Sequence, residues 1–169
     1  MRIGMSEEGN IHPHPYPLPS REREIKVGNF SEAPPNMEVR MSRKTRILIA
    51  RLGLDAHWRG SIVVARALRD AGMEVIYLGN QNPETIAKSA MEEDVDVVGL
   101  STLSGNHMIL APEVVRLLRE KGAGDMTVVL GGTIPPDDIP KLKAEGIAEI
   151  FGPGTALAKI IQFVSAKAP

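Results

Sequence analysis

From about residue 44 onward, short β-branched runs alternate with stretches of helical periodicity. The runs are RILIA (46–50), EVIYL (74–78), DVVGL (96–100), TVVL (127–130) and AEIF (148–151). Between them lie SIVVARALRDAG (61–72), PETIAKSAMEED (83–94), ILAPEVVRLLREKG (109–122) and PDDIPKLKAEG (136–146), and TALAKIIQFVSAK (155–167) closes the series. The runs are nearly all apolar, as strands are when both faces of their sheet are covered. Gly72, Gly122 and Gly146 stand where the left-handed residue after a helix belongs. Pro83 and Pro136 suit a first helical turn, and Asn82 suits an N-cap. Five such units predict an α/β fold with helices on both sides of a parallel sheet. Right-handed crossovers leave few topologies, and five strands favour the flavodoxin-like, Rossmann-type order 2-1-3-4-5.

Residues 1–42 break this pattern. HPHPYPLPSRERE places Pro13, Pro15, Pro17 and Pro19 at alternate positions. Each proline lacks an N–H and fixes φ, which excludes both helix and central strand. Few large apolar side chains accompany them, so burial cannot offset the ordering entropy. A disordered, proline-rich tail is expected over 1–42, ahead of a folded domain at 44–167. An inert extension is the preferred reading of the tail, over a partner-binding arm or a loose metal site at His12 and His14. Met41, directly before SRKTRILIA, is the expected true start of translation.

Composition narrows the function. The chain has 169 residues, a length that favours one domain, and 43% are hydrophobic, enough for a core. Its 20 basic and 21 acidic residues leave a net charge of −1, which gives no electrostatic case for nucleic acid or an anionic membrane. The absence of cysteine excludes disulfides, thiolate nucleophiles and cysteine-bound metals, and it fits a cytoplasmic location. No apolar run approaches the roughly 18 residues of a membrane span. MRIGMSEEGN carries no apolar stretch of the kind a signal peptide needs.

In a doubly wound sheet, ligands bind beyond the carboxyl ends of the strands, where the strand order reverses. The loops there are 51–60, 101–108, 131–137 and 151–155. The first, RLGLDAHWRG, holds Asp55, His57 and Gly60. STLSGNH, GGTIPPDD and FGPGT are built from small, hydroxyl and turn-forming residues, which leave room for a large, elongated ligand close to the backbone. Asp55-x-His57 lets a carboxylate take the proton of one ring nitrogen, which orients the imidazole and makes the other nitrogen a better metal ligand. The same pair also suits a general base. No serine sits at a nucleophile elbow. A closed zinc site lacks ligands, since His107 is the only other histidine of the domain and Asp55, Asp137 and Asp138 are the only nearby carboxylates. Neither a P-loop nor a dinucleotide glycine fingerprint follows the first strand. A phosphoacceptor receiver would need an aspartate after the third strand, where Ser101 stands.

These elements together resemble cobalamin (B12)-binding domains. Asp55-x-His57-x-x-Gly60 is similar to the family's D-x-H-x-x-G motif, Ser101 and Leu103 to its S-x-L element, GGTIPPDD to its G-G element and FGPGT to its closing loop. The four elements occur in order over residues 44 to about 165. Within the family, the chain resembles the small subunit of adenosylcobalamin-dependent acyl-CoA mutases of the methylmalonyl-CoA mutase type. That resemblance implies His57 as the lower axial ligand of cobalt, replacing the cofactor's dimethylbenzimidazole, with Asp55 bonded to it. It implies a groove for the displaced nucleotide tail, lined by Ser101 and Leu103, with Gly131 and Gly132 permitting passage and Gly154 and Thr155 near its far end. It also implies an isomerase whose radical rearrangement needs a separate large subunit with an acyl-CoA-binding TIM barrel, since about 125 folded residues cannot supply a barrel of roughly 250. The alternatives are a stand-alone corrinoid carrier or methyltransferase component, and a cobalamin-free regulatory module of the same fold. The chain departs from the pattern at Ala56, at Trp58, and at Arg51, where these mutases commonly have a lysine that contacts the aspartate.

Overall fold

The computed structural model describes residues 43–167; the expected tail at 1–42 lies outside the described residues. Five parallel strands, β1 (Arg46–Leu52), β2 (Glu74–Gln81), β3 (Val97–Thr102), β4 (Thr127–Gly132) and β5 (Ile147–Phe151), pair in the order β2-β1-β3-β4-β5. The connecting helices are α1 (Trp58–Asp70), α2 (Pro83–Glu92), α3 (His107–Glu120), α4 (Ile139–Glu145, after a 3-10 turn at Pro136–Asp138) and α5 (Leu157–Ser165). The sequence-based order and element count are those observed.

Strand alternation divides the core in two. Leu48, Ala50, Leu52, Val98, Leu100, Val128 and Leu130 point to one face and pack against Ile86, Ala87 and Ala90 of α2, Val114 and Leu118 of α3, and Leu142 of α4. Ile47, Ile49, Val97 and Val129 point the other way, against Leu68 of α1 and Ile160 and Val164 of α5. Local signals set the ends of these elements. The Asn82 side chain accepts the Thr85 N–H at 2.9 Å, capping α2, and Gly146 ends α4 at φ 110°.

Two boundaries differ from expectation. β2 runs to Gln81 rather than Leu78, because Gly79 adopts φ +71° and the register slips past Leu78, so Ala50 pairs with Gly79. α1 starts at Trp58 rather than Ser61. His57 occupies the N-cap position without capping it, because its ring is engaged with Asp55. Among the described residues, no helix is long and apolar enough to cross a membrane.

Candidate cofactor site

The loop between β1 and α1 is organised by one buried carboxylate. Asp55 is 1% exposed, yet both its oxygens are occupied. Oδ1 accepts the His57 main-chain N–H at 2.7 Å and lies 2.9 Å from His57 Nδ1. Oδ2 accepts the N–H of Leu103 at 2.5 Å, from the loop after β3. Burial by itself pushes the Asp55 carboxyl up. The N–H groups of Leu103 and His57, the Ser104 hydroxyl and the His57 ring outweigh it and bring it down to about 2. Near neutrality Asp55 is therefore an anion, and an anion can only accept. The Nδ1 proton of His57 is thus held by Asp55, so in the neutral ring Nε2 carries the lone pair. The imidazole side chain is 61% exposed, so this oriented nitrogen faces outward.

Arg51 does not touch the Asp55 carboxylate, unlike the lysine contact that the family resemblance suggested at this position. Its Nη1 donates to the main-chain carbonyl of Asp55 at 2.6 Å, and its Nε has no partner. The guanidinium therefore holds the loop through the backbone and leaves the carboxylate to His57 and Leu103.

A groove of about 850 Å³ opens beside His57 and runs between the sheet and helices α1 and α5. Gly60, Ser101, Leu103, Gly131, Gly132, Gly154 and Thr155 all line it along with His57, whereas Asp55 lies behind the ring. Gly60 and Gly154 have open space where a side chain would stand. Gly132, at φ +151°, has no such freedom: a Cβ there would overlap the carbonyl oxygen of Thr102. Thr155 does not offer its hydroxyl proton to the groove, since Oγ1 donates to the Gly152 carbonyl at 2.7 Å. Trp58 lines the groove mouth half-exposed, with Arg59 5.7 Å from its ring centroid.

Sequence reasoning missed several groove residues, Gly99 and Ser61 among them. Gly99 sits in the middle of β3 and lines the floor, where a larger side chain would fill the space. A glycine inside an otherwise apolar strand was the available signal. Ser61 lines the wall, buried, with its hydroxyl 2.8 Å from both the Trp58 carbonyl and the Tyr77 hydroxyl. No local pattern marked it.

The doubly wound sheet thus carries an exposed, carboxylate-oriented imidazole at the head of a glycine-floored groove. The B12 binding domain model matches residues 45–161, and the chain belongs to that family. It is 46% identical over 120 residues to the 2-hydroxyisobutanoyl-CoA mutase small subunit of Aquincola tertiaricarbonis, covering 70% of this chain and 88% of that one. It is 45% identical over 126 residues to the pivalyl-CoA mutase small subunit of Xanthobacter autotrophicus, covering 74% and 84% respectively. Methylmalonyl-CoA mutase of Escherichia coli is 45% identical over 123 residues, 72% of this chain but 17% of that longer one. These relatives are CoA mutases, which are isomerases. A cobalamin-binding protein from Desulfitobacterium hafniense superposes with TM-score 0.66 at 21% identity over 75% of this chain and 60% of that one. The receiver domain of NarL from Mycobacterium tuberculosis follows at TM-score 0.56 and 19% identity, over 72% and 93%. These two structures share the fold.

Proposed function

We propose that this chain, over residues 44–167, is the cobalamin-carrying small subunit of an acyl-CoA mutase, with His57 as the protein ligand to the cobalt of adenosylcobalamin. The observation that carries this reading is the His57–Asp55 pair at the mouth of the groove: an imidazole turned outward, with Nδ1 engaged and Nε2 free. Among the described residues, no group of three or more His, Asp or Glu side chains is placed to hold a metal ion. A cobalt already held by a macrocycle needs one protein donor, and His57 suits that role. The groove suits the rest of the cofactor: it holds about 850 Å³ and is lined by the small residues Gly99, Ser101 and Gly131.

When bound, adenosylcobalamin supplies the radical chemistry of a carbon-skeleton rearrangement, and the protein supplies binding and orientation. Asp55 fixes the orientation of the His57 ring. Leu103 N–H and Arg51 fix Asp55 and its backbone in turn. The substrate, an acyl-CoA, belongs to a separate large subunit. Support for such a partner comes from Leu54 and Ile109, 94% and 74% exposed, which sit at the His57 end of the sheet without lining the groove. The 2-hydroxyisobutanoyl-CoA and pivalyl-CoA relatives point to a branched acyl group.

Titration of the full chain with adenosylcobalamin tests the assignment. The visible spectrum is expected to change from benzimidazole to imidazole ligation. His57→Ala should abolish that change and, by removing one donor to the buried Asp55 carboxylate, should cost about 1–3 kcal/mol of stability. An unchanged spectral shift in His57→Ala would refute the ligand assignment.

A further inference from the structure

We infer that the pair formed by buried His107 and partly exposed Asp138, which does not line the groove, is a positioning brace: it fastens the β3–α3 loop to the β4–α4 loop and so fixes the Leu103 N–H that holds Asp55. The effect carried on to His57 rests on the cofactor reading above; the brace itself does not.

His107 is the first residue of α3 and 7% exposed. Its Nε2 lies 3.0 Å from Asp138 Oδ2, and the other oxygen of Asp138 takes Lys141 Nζ at 3.1 Å. The bond from His107, then that from Lys141, hold the Asp138 carboxyl below the ordinary carboxylate range. An ionised carboxylate only accepts, so the His107 proton sits on Nε2 and points at Asp138. Sequence proximity does not explain the pair, because 31 residues separate its members.

Four residues before His107 stands Leu103. The intervening loop is pinned on its other side by Asn106, whose Nδ2 donates to the Leu52 carbonyl at 3.2 Å and whose Oδ1 accepts from Thr102 Oγ1 at 2.7 Å. Asn106 thus ties the loop to β1, and His107 ties it to the loop after β4. Leu103 N–H then reaches Asp55 Oδ2, and Asp55 holds His57. Hydrogen bonds thus join Lys141, Asp138 and His107, the loop backbone carries on to Leu103, and further bonds join Leu103, Asp55 and the exposed His57 imidazole. Burying the His107 imidazole costs desolvation, and what its bond to the partly exposed Asp138 supplies in return is directional fixing.

The test uses the full chain with His107→Leu, His107→Gln and Asp138→Asn, without cofactor, by amide hydrogen exchange in NMR. His107→Leu removes the donor, His107→Gln retains an N–H for Asp138, and Asp138→Asn weakens the acceptor while leaving His107 in place. Exchange of the Leu103 amide is expected to rise about tenfold or more in His107→Leu and Asp138→Asn, which corresponds to losing one fixed hydrogen bond. Amides of the β1 core such as Leu48 should keep their rates, and His107→Gln should restore Leu103. The His57 ring resonances should broaden or shift in the same two variants. Equal acceleration at Leu48 and Leu103, or unchanged Leu103 exchange in both variants, would overturn the brace. If the wild-type chain binds no adenosylcobalamin while the variants show this exchange pattern, the cofactor reading fails and the brace stands.

Discussion

The two faces of the sheet are made from the same five strands and have opposite fates. On the α2/α3/α4 face, Leu48, Leu52, Val98, Leu100 and Leu130 meet Ile86, Val114, Leu118 and Leu142, and the layer is filled. On the α1/α5 face, Gly99, Ser101 and Gly131 stand among Ile47, Ile49 and Val129, and the layer is split by the 850 Å³ groove. Alternation decides the difference, since neighbours along β3 and β4 serve opposite layers: Val98 and Leu100 close one, Gly99 and Ser101 open the other. Both faces carry buried core, but only one leaves open space beside it, so packing and groove are separable by mutation.

The largest expected effect tests the closed face. Leu130→Ala removes a fully buried side chain there and should cost about 2–5 kcal/mol in urea unfolding. Wild-type stability in this variant would mean that the layer is loosely packed. Next comes the carboxylate at the head of the open face. The Asp55 carboxyl falls from 3.8 to about 2 on folding, so its anion stabilises the native state above about pH 4. That contribution, roughly 2 kcal/mol, is lost as pH falls through about 2. Urea midpoints measured from pH 7 down to 2 should show it in the wild type and not in Asp55→Asn; parallel pH profiles would refute it. The smallest expected change in stability lies on the groove floor. A Cβ on Gly99 would meet Ile49 Cγ1 at 3.4 Å and Ile47 Cδ1 at 3.6 Å, ordinary contacts. Gly99→Ala should therefore stabilise by up to about 1 kcal/mol. Gly99→Leu should project into the groove and lower adenosylcobalamin affinity at least about tenfold, read by equilibrium titration. Unimpaired binding by Gly99→Leu would show that the ligand does not use this floor.

Much of this contrast was legible in the chain. Runs such as RILIA and TVVL announced strands covered on both faces, and Asn82-Pro83 announced the start of α2, because propensity and capping act over a few residues. Gly79 misled the reading of β2: a glycine after an apolar run looks like a strand end, and here its left-handed φ makes a bulge inside the strand. The start of α1 was hidden because its N-cap position holds a histidine, a residue type that signals no cap. The motif Asp55-x-His57 was visible as a pair, and so were the glycine-rich loops that end β4 and β5.

By itself, then, the amino-acid order determined the layers, the sheet order, and which loops gather at one end, because these follow from period, turn chemistry and the handedness of crossovers. Only the tertiary structure decided that Asp55 is buried behind an exposed ring, that a main-chain N–H 48 residues away completes its coordination, and that His107 finds Asp138. The physical reason is distance along the chain. A hydrogen bond between loops depends on the relative heights of strands set by register, and register is a property of the assembled sheet rather than of any one segment.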